Sequence, residues 1–198
     1  MSRDAWRVTT HDWSREVDAG HLVEARRVAA SLGDALGLHL ALEVIAYADD
    51  EARATGHEGV VRVVVQGELV EVDDDGRGTD TRRDETGQVV RKPVMATRDV
   101  RFFDAPDAPL LPDGLPRRGM SIVSASSPLL RHTNRRSEGA WSQTYRHGVP
   151  DTDLREVEDR QRPGTTVAFV LPPGGRLEAD RLRELASGFT HVTVSVTD

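Results

Sequence analysis

The sequence predicts a two-layer α/β (α+β) sandwich, in which helices cover one face of a single mixed sheet. Residues 38, 42, 45 and 49 follow one another at three- and four-residue steps, the first three of them apolar, and Gly56 follows where that helix should end. Two β-branched runs, residues 59–65 and 69–72, are separated by Gln-Gly-Glu, which is typical of a hairpin. Helices and strands in this order favour one sheet with helices packed against it.

The remaining elements follow from the same kinds of pattern. Residues 22–32 have helical spacing that stops at Gly33. Residues 73–91 are polar and rich in turn-forming types, and residues 104–117 are rich in proline and predict an irregular loop or lid. Further helices are predicted over residues 119–127 and 178–187, and further strands over residues 140–147, 165–171 and 189–196.

The charge balance argues against a nucleic-acid-binding protein. The net charge is −7 and the pI is near 5.5, whereas binding to a phosphate backbone needs a concentrated basic face. Arg131, Arg135 and Arg136 form a small basic cluster, which we expect to be a solvated loop or strand edge. Direct binding to DNA is therefore not expected.

Composition also limits the class of protein. The chain has no cysteine, which excludes disulfides, zinc–thiolate sites and thiol catalysis. No apolar run is long enough to span a bilayer, and the charged N-terminus does not form a secretory signal, so we expect a cytoplasmic protein without membrane contact. The 198 residues suit one domain over residues 21–198, preceded by an N-terminal arm, residues 1–20, in which Trp6 and Trp13 pack against the body.

Several short motifs occur in order along the chain. Taken alone, the helical Glu43 would be a solvated surface residue, and the acidic turn at residues 74–78 would be a plain or calcium-like turn. The spacing of a calcium loop and its terminal glutamate are missing, however. The motifs are Gly-Leu-His-Leu-Ala-Leu-Glu-Val-Ile (37–45), Asp-Glu-Ala (50–52), Asp-Asp-Gly-Arg-Gly (74–78), Gly-Leu-Pro-Arg-Arg-Gly (114–119), Trp-Ser-Gln-Thr-Tyr-Arg-His-Gly-Val-Pro (141–150) and Pro-Gly-Thr-Thr-Val-Ala-Phe (163–169).

This ordered set resembles the ATP-binding domain of DNA gyrase B subunits, which are members of the GHKL (Bergerat-fold) ATPase superfamily. Residues 141–150 favour gyrase B over the other branches of that superfamily. The resemblance covers roughly residues 20–198, the extent of one nucleotide-binding domain. It implies a Bergerat-type mixed sheet and an adenine nucleotide, ATP or ADP, as ligand.

The resemblance implies a catalytic role for Glu43, as the general base that polarises the water attacking the γ-phosphate. Tyr47 stands where the family has the asparagine that coordinates Mg²⁺, and a phenol is a poor ligand for a hard octahedral cation. We therefore expect no metal site of the family's kind. Asp50 lies on the same helical face and is the residue that would have to supply a replacement carboxylate.

At the adenine end, the resemblance implies that Asp74 accepts the adenine amino group and that Thr166 helps to hold this aspartate and a water. Gly76 would let the backbone approach the base, and Glu51 would pair with Arg77 across the pocket. The nucleotide-binding residues predicted in this way are Asp50, Glu51, Asp74, Gly76, Arg77, Gly78, Gly119 and Thr166.

At the phosphate end, the resemblance is weaker. Residues 114–119 align with a family glycine box whose backbone N–H groups wrap the triphosphate, but Arg117 and Arg118 replace the inner pair. These arginines either neutralise phosphate by charge or are solvated remnants of a lost cradle. The family's glycine-rich lid is also replaced by the acidic, proline-rich residues 104–113, so we expect a weakened triphosphate site.

The expected function is a gyrase-B-like domain that binds ATP or ADP and hydrolyses it weakly or not at all. The alternative is a nucleotide-independent pseudo-ATPase interaction module that binds gyrase or another protein. A third hypothesis is an active ATPase whose metal site is relocated to Asp50. We expect no transducer domain and no Mg²⁺-binding TOPRIM domain in this chain, so that it is not a topoisomerase on its own.

Overall fold

The computed structural model describes residues 10–158 and 162–198. Within these ranges the chain forms four α-helices and ten strands. The helices are α1 (Ala19–Ser31), α2 (Leu36–Thr55), α3 (Met120–Ser126) and α4 (Ala179–Ala186). The strands are β1 (Gly59–Gln66), β2 (Leu69–Asp74), β3 (Thr81–Arg83), β4 (Val89–Arg91), β5 (Leu130–Arg136), β6 (Gly139–Arg146), β7 (Val149–Pro150), β8 (Arg155–Glu156), β9 (Gly164–Val170) and β10 (Val192–Thr197).

The main sheet is mixed, as predicted. Its strand order is β10-β1-β2-β9-β5-β6-β7, with β8 paired to β6 outside this path. β1 and β10 are parallel, and the other pairs are antiparallel. Along β1, Val61 and Val63 are buried and Arg62 is exposed, which is the alternation of a strand with one covered face. The predicted α/β sandwich is confirmed.

Helix α2 is the element that positions most of the site. Its apolar side chains, such as Leu40 and Ile45, are completely buried against the sheet. It ends at Gly56, which adopts a left-handed conformation and donates its N–H to the last turn. Helical geometry then brings Glu43, Tyr47 and the Asp50–Glu51 pair to one side of the helix.

Two features of the middle of the chain were missed by sequence patterns. Residues 73–91, predicted as polar turns, contain the β3–β4 hairpin. β5 was not predicted, and the expectation that Arg135 is part of a solvated loop or strand edge is wrong. β5 lies between β9 and β6, and Arg135 in this central strand is only 3% exposed. Its guanidinium is paired with Asp73 at 2.9 Å. A compensated charge of this kind is tolerated in a central strand.

The N-terminal segment packs against the body where the structure describes it. Trp13 is 2% exposed, and the Arg82 guanidinium lies 4.2 Å from the centre of its ring. The Asp18 N–H donates to the Ala96 carbonyl, which anchors the start of α1. Trp6 lies outside the described residues, and the division of the chain at residue 20 stays a prediction.

In the described part of the chain, no single helix has the length and apolar character needed to cross a membrane. A short 3-10 turn, Gly33–Ala35, leads into α2. Helix α1 and the combined segment Gly33–Thr55 are bent by 110° relative to each other, and the two together meet these criteria by length and composition only.

Gly164 begins β9 beside the end of β2 and offers a test of this strand pairing. Its φ is +143°, and a Cβ there would lie 2.1 Å from the Asp74 carbonyl oxygen. We expect Gly164→Ala to lower the free energy of unfolding by about 2 kcal/mol or more, because β9 must move away from β2. Urea unfolding measures the change.

Gly87→Ala is the matched control, because Gly87 also has a positive φ of +82° but a Cβ added to it would meet no atom within 4 Å. Gly87→Ala therefore introduces the strain of an alanine at positive φ without a clash between its Cβ and a neighbouring strand. Equal destabilisation by the two substitutions would contradict the close approach of β9 and β2.

Candidate functional site

A pocket of about 280 Å³ lies between α2, the turn after β2, and the central strands of the sheet. We call it the central pocket. Its wall combines apolar side chains with a few polar groups, which is typical of a small-molecule site. Among the lining residues are Ala48, Glu51, Asp74, Gly78, Thr165 and Val167.

Asp74 is one of the acidic residues that line this pocket, together with Asp50, Glu51 and Asp80. Its Oδ1 accepts the N–H groups of Gly76 at 2.9 Å and Thr165 at 3.3 Å. Within the described residues, no hydrogen bond to its Oδ2 is found. Burial raises the pKa of Asp74 from 3.8 to about 6, although the two N–H donors oppose the shift. The carboxylate is therefore fixed by one oxygen and presents the other as an acceptor.

Thr166 does not have the place that was expected for it. Its hydroxyl donates to Asp73 Oδ1 at 2.6 Å and accepts from Arg135 at 2.7 Å. Thr165, one residue earlier, gives its N–H to Asp74 and lines the central pocket. Successive residues of β9 point to opposite faces of the sheet, so the expectation that Thr166 holds Asp74 is wrong and Thr165 takes that place.

The turn after β2 brings the predicted glycines and ion pair together. Arg77 Nε lies 2.5 Å from Glu51 Oε1, as predicted, although the guanidinium is mostly exposed. A Cβ on Gly76 would lie 2.9 Å from Asp74 Oδ1. Gly78 has φ +80°, and a Cβ there would lie 2.6 Å from Asn134 Oδ1. Both positions therefore require glycine for close packing.

Asn134 is a positioning residue that the sequence patterns did not reveal. It lies in β5 and is completely buried. Its side-chain amide accepts the Thr79 N–H at 2.6 Å and donates to the Thr79 carbonyl at 2.9 Å. This two-way bond holds the end of the turn against the sheet. An asparagine in a strand was the only signal, and it became visible only once β5 was known.

Glu43 is completely buried, so the interpretation of a solvated surface residue is wrong for it. Its carboxylate accepts the backbone N–H groups of Arg118 and of Gly119, the latter at 3.1 Å. These are the groups at the start of α3 that were expected to face phosphate. In this structure they are bound by Glu43 instead.

His39 connects Glu43 to the loop before α3 and was also missed. Its Nδ1 lies 2.8 Å from Asp113 Oδ2, and its Nε2 lies 3.5 Å from Glu43 Oε1. Burial alone would lower the pKa of His39, but the two carboxylates outweigh it and raise the pKa to about 9. A protonated imidazole thus lies between two buried acids.

Tyr47, which stands where the family has a metal-coordinating asparagine, is a hydrogen-bond donor in this structure. Its hydroxyl donates to Asp99 Oδ2 at 2.7 Å, and its ring meets the Phe102 ring edge to face at 6.1 Å between centroids. Burial, followed by the charge of Asp99, raises the pKa of Tyr47 well above its ordinary value of 10. The phenol therefore stays neutral, and its only proton already has an acceptor.

Arg117 is 4% exposed, so the interpretation of a solvated arginine pair is wrong for this residue. Its Nη1 lies 2.6 Å from Asp50 Oδ2, and its Nε lies 3.9 Å from Glu43 Oε2. The guanidinium lies 3.8 Å from the centre of the Phe102 ring and 5.0 Å from that of Tyr47. Arg117 is thus held by both acids and both rings.

Arg118 differs from Arg117, because its side chain is partly exposed and lies 3.9 Å from Asp104 Oδ1. Asp50 also accepts from Arg53 at 2.9 Å, so two arginines engage its carboxylate. Among the described residues, no group of three or more His, Cys, Asp or Glu side chains is placed to hold a metal ion. The donor set around Tyr47 and Asp50 does not fit Mg²⁺.

The position of His39 predicts a stability that depends on pH. The pKa of His39 is about 9 in the folded chain and 6.5 as its ordinary value, so protonation stabilises the folded state. This stabilisation, on the order of 3 kcal/mol, is complete below pH 6.5 and is lost as the pH rises through about 9. Urea unfolding across this range measures it.

His39→Asn should remove most of that pH dependence, whereas His57→Asn should leave it unchanged, because His57 is exposed. The assignment would be wrong if the His39→Asn variant lost stability over the same pH range and by the same amount as the unaltered chain.

Comparison with known proteins places this site in a family context. DNA gyrase B of Mycobacterium tuberculosis strain H37Rv is 32% identical over 169 residues, which cover 81% of this chain and 25% of the gyrase protein. DNA gyrase B of Staphylococcus aureus is 29% identical over 133 residues, covering 66% of this chain and 20% of that protein. The chain thus spans about a quarter or less of the length of these relatives. No family model matches the sequence.

A solved structure gives the fold. The topoisomerase IV ATP-binding domain of Francisella tularensis, in complex with a small-molecule inhibitor, superposes with a TM-score of 0.62 at 18% identity. The match covers 80% of this chain and 45% of that one. At this identity the likeness is evidence of fold alone. Together with the sequence matches, it shows that the chain is a relative of DNA gyrase B with the Bergerat-type fold of the ATP-binding domain.

Proposed function

We propose that this chain is a gyrase-B-like module that binds an adenine nucleotide, ATP or ADP, and hydrolyses it weakly or not at all. The observation that carries the proposal is the Asp74 carboxylate, which lines the central pocket and is fixed through Oδ1, while no hydrogen bond to its Oδ2 is found within the described residues. An acceptor held in this way suits the exocyclic amino group of adenine. The ATP-binding domain named in the solved relative supports the same ligand class.

The neighbourhood of Asp74 also supports a flat heterocyclic ligand. Val167, Val44 and Met95 line the same pocket and supply apolar contact, while Glu51 and Arg77 border it. A pocket of this kind buries an aromatic ring and orients it through a few polar groups. The backbone turn at the pocket wall is kept in place by the Asn134 side chain.

The other end of the site supports weak or absent hydrolysis. A phosphoryl-transfer site needs a carboxylate free to orient water and a metal to neutralise the phosphates. Here Glu43 is engaged by the Arg118 and Gly119 N–H groups, and Asp50 is engaged by Arg117. The hypothesis of a metal site relocated to Asp50 is not supported by this geometry.

Asp74→Asn tests the adenine assignment. We expect calorimetry at pH 7.5 to show ADP binding to the unaltered chain and about tenfold weaker binding to the variant, because a charge-assisted acceptor is lost. The pKa of Asp74 is about 6, so the affinity of the unaltered chain should rise between pH 5 and pH 7 as the carboxylate ionises. The variant should lack this rise.

Asp107→Asn is a suitable control, because this exposed acid lies in the loop before α3 and does not line the central pocket. Failure of the unaltered chain to bind ADP or ATP at millimolar concentration would overturn the proposal. It would favour the nucleotide-independent interaction module instead.

Hydrolysis is tested separately, by phosphate release from ATP with and without Mg²⁺. We expect Mg²⁺ to raise the turnover by less than about twofold, because Asp50 is already engaged by arginines. We also expect Glu43→Gln to leave the turnover unchanged, because the Glu43 carboxylate is already engaged by the N–H groups at the start of α3. A Mg²⁺-dependent turnover that is abolished by Glu43→Gln would show an active ATPase.

A further inference from the structure

Four cationic side chains line the central pocket, and three of them are already neutralised. The exception is Lys92, which has no Asp or Glu oxygen within 4.0 Å anywhere in residues 10–158 and 162–198. The paired cations are Arg77 with Glu51 at 2.5 Å, Arg101 with Asp99 at 2.7 Å, and Arg136 with Asp80 at 3.0 Å.

Lys92 is also the only lysine in the chain, whose other basic residues besides histidine are arginines. It follows β4 directly, and its backbone N–H donates to the Asp80 carbonyl at 3.4 Å. Its side chain is partly buried, and burial, followed by the charge of Arg101, lowers the pKa of Lys92, while the more distant charges of Asp99 and Asp80 oppose this shift. A partly desolvated cation without a direct ion pair is costly, and an anionic ligand that contacts its ammonium group relieves this cost.

The usual place for a polyphosphate is closed by the chain's own groups. Glu43 binds the N–H groups of Arg118 and Gly119, which would otherwise be available to phosphate oxygens. Arg117 lies across the same end, held by Asp50 and stacked on aromatic rings. A triphosphate would have to displace these contacts, whereas a shorter ligand would not.

We propose that the central pocket prefers an adenine nucleoside monophosphate to the triphosphate, with the single phosphate group paired to Lys92. The pocket then has one acceptor for the base, Asp74, and one unpaired cation for the phosphate, within about 280 Å³. This inference rests on the proposed adenine-binding function and deepens it by naming the ligand class.

The test compares adenosine, AMP, ADP and ATP by calorimetry on the full chain. In the unaltered chain AMP should bind about tenfold more tightly than adenosine, because it adds a charge-assisted contact, and ATP should bind more weakly than AMP, because its outer phosphates would have to displace the contacts of Glu43 and Arg117. In Lys92→Gln the AMP-to-adenosine ratio should fall to about one, while adenosine affinity stays the same. The ratio isolates the phosphate contact from any general loss of folding.

Arg83→Gln is the matched control, because it removes the same charge from the neighbouring β3, where Arg83 is exposed and contacts the Gly87 carbonyl. It should leave the ratio at its original value. Binding of ATP as tightly as AMP, or more tightly, would overturn this inference and leave the adenine-binding function standing. So would an unchanged ratio in Lys92→Gln. Failure of all four compounds to bind would overturn the proposed function itself.

A second measurement uses the single lysine as a label. Acetylation by an amine-selective acyl ester, followed by peptide mapping in a mass spectrometer, reports the accessibility of the Lys92 amine separately from that of the N-terminal amine. Lys92 also borders a second cleft beside Arg91 and Tyr145. Protection of its amine by a ligand of the central pocket therefore tests whether the amine is directed into that pocket. AMP should protect Lys92 from acetylation more strongly than adenosine does. Equal labelling with and without saturating AMP would contradict the assignment.

Discussion

The fold around the site depends on one buried carboxylate, that of Glu43. A charge without exposure to water is tolerated only when hydrogen bonds and opposite charges satisfy it. Glu43 is satisfied by two N–H groups at the start of α3 and by His39 on its own helix. Because His39 in turn pairs with Asp113, α2, α3 and the loop before α3 are joined through one continuous set of charges.

The same set of charges is the basis for the proposed weak or absent hydrolysis. In a phosphoryl-transfer site the carboxylate and the N–H groups are directed at water and phosphate, whereas here Glu43 accepts the N–H groups of Arg118 and Gly119. Arg117 extends this arrangement, since it joins Asp50 to the Glu43 carboxylate and packs on the rings of Tyr47 and Phe102. The charged groups beside the start of α3 therefore satisfy one another, whereas no hydrogen bond to Asp74 Oδ2 is found in the part of the chain that the structure describes.

The sheet contributes to the site because successive side chains of a strand point to opposite faces. Asp74 and Thr165 face the pocket, whereas their neighbours Asp73 and Thr166 form a second polar cluster with Arg135 on the opposite face. A one-residue difference along a strand thus separates a residue that lines the central pocket from one in a structural polar cluster. The cluster around Arg135 permits a charged residue in a central strand, and the adjacent Asn134 uses the pocket face of that strand to hold the turn.

The sequence by itself determined the local elements and the type of site. Helix α2, the hairpin and the glycine turn at Gly76 follow from periodicity and backbone requirements, which depend on neighbours in the chain. Only the tertiary structure decided which side chains satisfy one another. β9 pairs with β2 and β5, which are distant from it in sequence, so the choice of Thr165 over Thr166 and the burial of Arg117 depend on long-range packing that no local pattern encodes.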